Sequence, residues 1–267
     1  MKKHDLYAYE EYMKKSQLQL AEVTVSNDLI RAKNRMKKGE LKLFHAVISQ
    51  VNPFKKNGNI IKLNKAELFD LLELKSNDKY TRWLKPVKNL IKETIVDFCM
   101  PNGEYFVGAM ITSVESNKHD FVFTINPKIM PELEKLEERQ YSSWILKNTL
   151  TLSSVYAIKL YTMLNSWADK GTWAVYEKNL REYFNCEEKY SRKQDFERRT
   201  IIPACKEINE KTNMSVVWTP VKKSNCTIGW AFDFSINEDN RDQRDRIEFE
   251  EIRDKDLNKI DQARLPF

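Results

Sequence analysis

The sequence predicts an α+β chain that is mainly helical and consists of two similar domains related by internal duplication. Residues 41–50 resemble residues 158–167, with identical or similar residues 117 positions apart. The residues that follow Pro86 resemble those that follow Pro203 at the same offset. A similarity at a spacing of about a hundred residues indicates a repeated domain and not the short period of a solenoid.

The first domain follows a polar extension, residues 1–22, in which we expect a short helix. Residues 23–25 favour a strand, and Ser26 is a good cap for the helix that comes next. A longer helix then has apolar residues at positions 41, 44, 47 and 48, which is the spacing of one buried face. Two further helical patterns follow.

After these helices the apolar pattern changes from helical to alternating. Residues 95–98, 105–107 and 121–125 favour strands, and Asn102–Gly103 is a favourable turn between the first two. Three helices followed by a hairpin is the order of elements in a winged helix. We therefore place a first winged-helix domain at residues 23–126.

The second domain repeats this order of elements. We expect a connecting helix within a linker at residues 127–141, and a second winged-helix domain at residues 142–237. Its helices are predicted at 153–168, 177–185 and 194–211, and its closing strands at 214–218 and 228–236. The two strands are joined by a short basic turn at 221–225, which we interpret as the wing.

The charge of the chain is unevenly distributed. The net charge is +6, but residues 238–267 hold ten acidic and seven basic residues, a net of −3. The remaining residues, 1–237, therefore carry +9, which suits a polyanionic partner without proving one. We expect residues 238–267 to form a charged tail, either a solvated helix or a flexible segment.

Cysteine usage and hydropathy exclude several classes of protein. The four cysteines form no C-x-x-C pair, which argues against a zinc ribbon and against a redox motif. Their wide spacing gives no sign of a disulfide framework, as is usual in a reducing cytosol. No apolar run approaches the roughly 18 residues that cross a bilayer, so we expect no membrane partner. The first residues also lack the pattern of a signal peptide.

Patterns typical of enzymes are missing from the sequence. The motif G-x-x-x-x-G-K-[ST] of a P-loop ATPase does not occur. A rolling-circle nuclease needs a metal-binding histidine pair, and His4, His45 and His119 are too scattered to supply one. His45 lies on a predicted helix, where we expect a structural role. We therefore predict a protein without catalytic activity, cofactor or metal.

The third helix of the second domain is the leading candidate for reading DNA. Ser191 favours a helix cap, with Gln194 as its capping-box partner. Apolar or small residues then recur every four positions and should face the core, at Phe196, Thr200, Ala204 and Ile208. This leaves Ser191, Arg192, Lys193, Gln194, Arg198 and Arg199 directed outward. Arginine can bind guanine through two hydrogen bonds, and glutamine can bind adenine in the same way. An ordinary solvated helix face is the alternative.

Two other cationic segments are candidate DNA contacts. Lys222 and Lys223, on the predicted wing, would contact phosphate or a minor groove, although an ordinary surface turn has the same composition. The run at residues 31–38 could hold phosphates from the first domain, or could be a linker that packs on the other domain. Its candidate contacts are Lys33, Arg35, Lys37 and Lys38.

The last six residues resemble a peptide that binds a replication protein. Gln262, Leu265 and Phe267 match the hexapeptide Q-x-x-L-x-F by which bacterial replication proteins bind the sliding clamp. In such a complex an extended peptide inserts its leucine and phenylalanine into an apolar pocket, while the glutamine fixes one end. A chance match is the alternative for so short a motif.

Several of these segments together resemble the iteron-binding plasmid replication initiator (Rep) family. The similar segments are 25–32, 40–44, 48–50, 156–161, 189–190, 195–199 and 206–209. The resemblance covers about residues 23–237 and implies two tandem winged-helix domains. It also implies that the second domain reads most of the repeated origin sequence, while the first adds DNA contacts and forms a dimer interface.

The resemblance assigns individual residues as well. Arg198 and Arg199 match the basic cluster on the family's recognition helix, and Lys222 and Lys223 match its basic wing. The family often continues the wing with Gly-Arg, whereas residues 224–225 are Ser-Asn here, so the groove contact of the wing is in doubt.

We therefore expect a bacterial cytoplasmic protein that binds tandem repeats in double-stranded DNA and initiates plasmid replication. It would recruit host replication factors, with the sliding clamp as the candidate partner of the last six residues, and would repress its own gene as a dimer. A dimeric winged-helix transcriptional repressor without initiator activity is the alternative.

Overall fold

The computed structural model describes residues 21–237 except 55, 72–86, 100–102, 135, 137–139 and 225. Residues 1–20 of the predicted N-terminal extension and the whole charged tail, with its candidate clamp-binding motif, therefore lie outside the described residues.

Helices and strands both occur throughout the described part of the chain. The helices are α1 (Asn27–Arg31), α2 (Lys38–Ile48), α3 (Lys65–Leu71), α4 (described over 87–93), α5 (Leu146–Thr151), α6 (Val155–Asn165), α7 (Glu177–Phe184) and α8, which joins Lys193–Phe196, Glu197–Ile201 and Ile202–Lys211. The strands are β1 (Glu22–Ser26), β2 (Ile60–Asn64), β3 (Ile95–Cys99), β4 (Tyr105–Ala109), β5 (Ile111–Ser116), β6 (Asp120–Ile125), β7 (Tyr141–Ile145), β8 (Thr172–Tyr176), β9 (Met214–Lys223) and β10 (Cys226–Ile236).

The two three-stranded sheets have the same topology. Their strand orders are β2-β6-β5 and β8-β10-β9, so in each sheet the last strand along the chain lies between the other two. In each case the first strand leads directly into a helix, and the two later strands form a hairpin after the last helix. This is the winged-helix arrangement predicted for both domains. The β3–β4 hairpin is an additional element of the first domain, inserted ahead of its wing hairpin.

The central strand of each sheet supplies the core through alternate residues. Phe121, Phe123 and Ile125 of β6 are buried, as are Trp230 and Phe232 of β10. The strand predicted at residues 228–236 is therefore confirmed, and its alternate apolar residues Trp230 and Phe232 face the core. Burial of such side chains stabilises the fold by about 1.5–3 kcal/mol each.

Three features of the fold differ from the sequence predictions. Strands β2, β5, β7 and β8 were not predicted. The chain is also less helical than expected, because strand is nearly as abundant as helix in its described part. Residues 127–134 form turns and a short 3₁₀ helix, Met130–Glu132, in place of the expected connecting helix. In an α-helix beginning at Pro127, Pro131 would have to donate an N–H to the Pro127 carbonyl, and proline has none.

Strand pairing joins the beginnings of the two domains. Residues of β1 pair antiparallel with β7, from Glu22 opposite Ile145 to Ser26 opposite Tyr141. The Ser26 hydroxyl caps α1 by accepting the Leu29 N–H at 3.2 Å and also donates to the Glu132 carboxylate at 2.5 Å. One buried hydroxyl therefore serves both the predicted cap of α1 and the segment between the domains.

The two similar helices α2 and α6 pack against each other. Each bound of α6 lies 117 positions after the corresponding bound of α2, and the two helices are in contact. Lys42 of α2 donates to the Leu150 carbonyl of α5. Lys159, its match on α6, donates to the Asn34 carbonyl between α1 and α2 at 3.0 Å. Each of the matched lysines therefore connects its helix to a neighbouring segment of the chain.

The environment of this contact is dry enough to shift pKa values. Lys159 is 2% exposed, and burial lowers the pKa of its ammonium group to about 8. A second hydrogen bond to the Tyr183 carbonyl, at 2.8 Å, offsets part of the cost of burying the charge. Burial also lowers the pKa of His45 to about 3, and its ring meets Trp144 edge-on at 5.5 Å. This buried, ring-packed position supports the structural role expected for His45.

We predict that Lys159→Met removes a pH dependence of folding. The folded-state pKa of Lys159 is lowered, so between about pH 8 and 10.5 the unfolded chain binds more protons and the stability due to this group rises with pH. The free energy of unfolding of the natural protein should therefore rise relative to that of Lys159→Met by about 1 kcal/mol from pH 7.5 to pH 9.

Denaturant unfolding at the two pH values measures this difference. Lys178→Met, at an exposed position of α7, is the matched control. An identical pH response of Lys159→Met and the natural protein would contradict the role given to Lys159.

Candidate DNA interface

Helix α8 contains a wide turn at the residues predicted to contact DNA. Residues Glu197–Ile201 have π-helical hydrogen bonding, and the Ile202 N–H bonds to the Glu197 carbonyl five residues earlier. Pro203 follows, and its missing N–H leaves the ordinary helical bond to Arg199 unmade. The wider turn accommodates this loss, and such turns are frequent at functional sites. Arg198 and Arg199 lie within it, and both are exposed.

The opposite face of α8 is buried, as the spacing by four predicted. Phe196, Thr200, Ala204 and Ile208 are all fully buried. The Thr200 hydroxyl donates to the Phe196 carbonyl at 2.7 Å, and the Trp230 indole N–H donates to the Glu197 carboxylate at 2.9 Å. These contacts fix the rotation of the helix, and with it the direction in which the arginines point.

The outward arginines make only weak intramolecular contacts. Arg198 forms an ion pair with Asp195 at 2.7 Å, but the Arg198 side chain is 68% exposed. An exposed pair of this kind contributes little to stability, so the guanidinium can exchange its partner for a base or a phosphate. The Arg199 guanidinium lies 5.9 Å from the centre of the Tyr190 ring. Gln194, one turn nearer the start of the helix, is also exposed.

The predicted capping box at the start of α8 does not form. The helix begins at Lys193, and its cap residue, Arg192, makes no side-chain capping hydrogen bond. Ser191 precedes this cap by one residue, which is too early for the capping geometry. Ser191 and Arg192 are nevertheless exposed, beside Gln194.

Lys193 is occupied by contacts within the protein. Its ammonium group lies 3.2 Å from the Glu177 carboxylate and donates to the Thr227 carbonyl of β10. The Glu177 hydrogen bond is the main reason that the pKa of Lys193 is raised. These contacts attach the start of α8 to α7 and β10, and the Lys193 side chain is still 43% exposed. The DNA contact expected of Lys193 stays a prediction.

The wing is a longer hairpin with a tighter turn than predicted. Val221, Lys222 and Lys223 belong to β9, and the turn begins at Ser224. Ser224 has φ +48°, the left-handed conformation that tight hairpin turns require. Lys222 and Lys223 are exposed beside this turn, where they can reach a DNA backbone.

The cationic run of the first domain packs on the rest of the chain through its backbone and exposes most of its charged side chains. Its backbone packs on the second domain, because the Asn34 carbonyl accepts hydrogen bonds from Lys159 and, at 2.6 Å, from the Asn185 amide. Lys33 forms an ion pair with Glu182 at 3.1 Å. The remaining candidates Arg35, Lys37 and Lys38 are exposed.

Three cationic residues of the first domain were missed by the sequence predictions. Lys88 and Lys92 are exposed one turn apart on α4, the counterpart of α8, and Lys118 is exposed at the turn of the β5–β6 hairpin. The spacing of Lys88 and Lys92 by four residues was the available signal. Lys118 could have been found only by placing the first-domain wing at β5–β6, and β5 was itself missed.

The described residues hold neither a candidate metal site nor a membrane-spanning helix. They contain no group of three or more His, Cys, Asp and Glu side chains arranged to hold a metal ion. Each described helix is too short or too polar to span a membrane.

Two family models match most of the described chain. The model described as "Initiator Replication protein, WH1" matches residues 22–165, and the model described as "Initiator Rep protein, WH2" matches residues 177–234. The first match continues through α6, beyond the end predicted for the first domain at residue 126. No curated protein sequence gives a significant match to the chain.

A solved structure confirms the fold. The Pi initiator protein in complex with iteron DNA superposes with a TM-score of 0.67 at 18% identity, over 83% of this chain and 99% of that one. Domains 2 and 3 of RctB give a TM-score of 0.39 at 8% identity, over 85% of this chain and 81% of that one, which is too distant to support any argument. Since the first family model alone spans more than half of the 267 residues, the chain belongs to the initiator replication protein family.

Proposed function

We propose that the protein binds repeated sites, or iterons, in double-stranded DNA at a plasmid origin and initiates replication there. The outward face of α8 carries this proposal, because its wide turn exposes Arg198 and Arg199 while the opposite face is fixed in the core. The similarly folded Pi initiator was solved in complex with iteron DNA, which supports the same assignment.

In this proposal the second domain reads the sequence. The major groove of B-DNA admits an α-helix, and arginine and glutamine side chains distinguish guanine and adenine there. Gln194, Arg198 and Arg199 are the candidate base contacts. Lys222 and Lys223 would contact the DNA backbone, which positions a protein without specifying a sequence.

The first domain would extend the contact along the DNA. Lys88, Lys92 and Lys118 occupy its counterparts of the recognition helix and the wing, and Lys37 and Lys38 lie at the start of α2. Bending a DNA site costs a few kcal/mol, which contacts from two domains can offset. The protein would therefore act by binding and distorting DNA, not by catalysis.

We also propose that the two domains are related by internal duplication, with bounds near 23–126 and 142–237. The common strand order of the two sheets and the equal lengths of α2 and α6 support this relation.

Dimerisation and recruitment of host factors complete the proposal. The β3–β4 hairpin of the first domain carries Ile95, Tyr105 and Val107, which are 50%, 66% and 60% exposed. Exposed apolar residues on one hairpin suit a dimer interface, and a dimer could repress the protein's own gene. Acting in the bacterial cytoplasm, the protein would also recruit host replication factors, including the sliding clamp through Gln262, Leu265 and Phe267.

A footprint on the DNA that flanks the protein's own gene tests the main proposal. We expect protection of several evenly spaced repeats that persists at the higher of two salt concentrations. Protection of a single inverted repeat over the promoter would favour a repressor instead. Protection that disappears at the higher salt concentration would mean that the protein binds DNA without sequence specificity, contrary to the proposal.

Replacing both outward arginines should remove specific binding. Each arginine that contacts a base contributes about 1–3 kcal/mol of discrimination, so Arg198→Ala with Arg199→Ala should lower the affinity for the repeat far more than the affinity for unrelated DNA. Lys222→Ala is the contrasting variant, because loss of a phosphate contact should weaken all sequences alike and reduce the salt slope by about one. Titrations of repeat and unrelated DNA measure both effects. Unchanged repeat affinity in the double variant would rule out α8 as the reading helix.

Removing the last six residues should separate clamp binding from DNA binding. Deletion of 262–267 should leave the affinity for the repeat unchanged and abolish binding to a purified bacterial sliding clamp, because the leucine and phenylalanine anchors are lost. Arg264→Ala, between the anchors, is the control that should retain clamp binding. A clamp that does not bind the intact protein would refute this part of the proposal.

A further inference from the structure

The start of α8 is fixed by residues that lie outside the outward face. Because Arg192 provides no side-chain cap, the position of the first turn depends on other contacts. Arg181 of α7 lies directly against this region and is only 9% exposed. A buried arginine needs partners for its charge and for its N–H groups.

Arg181 finds these partners on three different segments. Its Nε donates to the Glu177 carboxylate at 2.9 Å, within α7. Its two Nη groups donate to the carbonyls of Lys189, at 2.7 Å, and Tyr190, at 2.9 Å, in the loop before α8. The guanidinium carbon also lies 4.4 Å from the centre of the Phe196 ring, in the first turn of α8.

The loop before α8 would not hold this shape by itself. Tyr190 has φ +57°, a left-handed conformation that is unfavourable for a residue with a bulky side chain. The forked guanidinium holds the carbonyls of Lys189 and Tyr190 simultaneously, and so stabilises the loop in this conformation. A lysine could donate to one of the two carbonyls but could not reproduce the fork.

Glu177 extends the same network to the wing. One of its carboxylate oxygens accepts from Arg181, and the other lies 3.2 Å from Lys193 at the start of α8. Lys193 in turn donates to the Thr227 carbonyl, in the strand that leads away from the wing turn. The two residues of α7 therefore connect the loop, the first turn of α8 and the base of the wing.

We propose that Arg181 and Glu177 are positioning residues, which set the base pairs within reach of α8 although neither contacts DNA. They fix the start of the helix relative to the wing. The place where the wing contacts the DNA backbone therefore determines where Gln194, Arg198 and Arg199 enter the groove. This inference rests on the proposed function, because it takes α8 as the reading helix. A loss of Arg181 should therefore affect discrimination at every base pair that α8 reads.

The experiment measures binding of the full-length protein to three DNA probes. They are a fragment with the repeat found by footprinting, a set of the same fragments with single base-pair changes, and an unrelated fragment. We expect Arg181→Met to lower the affinity for the repeat at least tenfold. Each single base-pair change should then cost the variant less affinity than it costs the natural protein, at every sensitive position. The affinity for unrelated DNA and its salt slope should stay nearly unchanged. Arg198→Ala, in contrast, should relax only the base pair that it contacts.

Companion variants distinguish positioning from loss of folding. Arg181→Lys keeps the charge but not the fork, so it should fail to restore discrimination. Glu177→Gln should weaken discrimination in the same direction, and it decides the matter if Arg181→Met does not fold. Glu188→Gln removes the same negative charge at an exposed position in the loop before α8. It is the control and should bind DNA as the natural protein does.

The outcomes separate this inference from the proposed function. If the natural protein does not prefer the repeat, the proposed function fails. If the natural protein prefers the repeat and the folded Arg181 and Glu177 variants retain the same preference and the same base-pair penalties, the positioning role is overturned.

Discussion

Lys159 is buried where α2 meets α6, so its ammonium group has to find its acceptors inside the protein. It donates to the Asn34 carbonyl of the first domain and to the Tyr183 carbonyl of α7. Separating the domains would leave this charge with fewer partners in a dry environment, which is costly. Both acceptors belong to segments that lead toward the candidate DNA contacts, since Asn34 lies in the cationic run and Tyr183 is on the helix that carries Arg181. The buried Lys159 thus connects the contact between α2 and α6 to two segments of the candidate DNA interface.

Lys42, the counterpart of Lys159 on α2, makes a similar hydrogen bond to a distant segment of the chain. Lys42 donates to the Leu150 carbonyl, Lys159 donates to the Asn34 carbonyl, and the β1–β7 pairing adds backbone hydrogen bonds between the same parts of the chain. These contacts hold distant segments of the chain together in the folded protein. If both domains contact DNA, as proposed, the spacing of the two contacts is then a property of the fold. The entropy lost on ordering the domains is then lost during folding and not during binding.

The sequence predicted the features that depend on local pattern. The buried face of α8 follows from a spacing of four residues, and the core face of β10 from strict alternation, and both are confirmed. Strands β2 and β8 were missed because each has only five residues and is recognisable only by its pairing with β6 or β10, which lies more than 50 positions away. The contacts of Arg181 and Lys193 were not predicted for a related reason. The spacing of Glu177 and Arg181 by four residues favours their ion pair. The other partners include backbone carbonyls of a loop and of a distant strand, whose positions no residue pattern indicates.

Burial divides the charged residues of the second domain into two groups with different consequences. Arg181 and Glu177 form a pair whose side chains are 11% and 18% exposed, so water and salt screen it weakly and its loss would leave a buried charge unpaired. The Arg198–Asp195 pair is largely exposed and contributes little to folding. Substitution of the outward residues of α8 should therefore cost little stability, whereas substitution of Arg181 or Glu177 should cost more. A fold built in this way can change the sequence that it reads by substitution on one helix face, provided that the network beneath that face is kept.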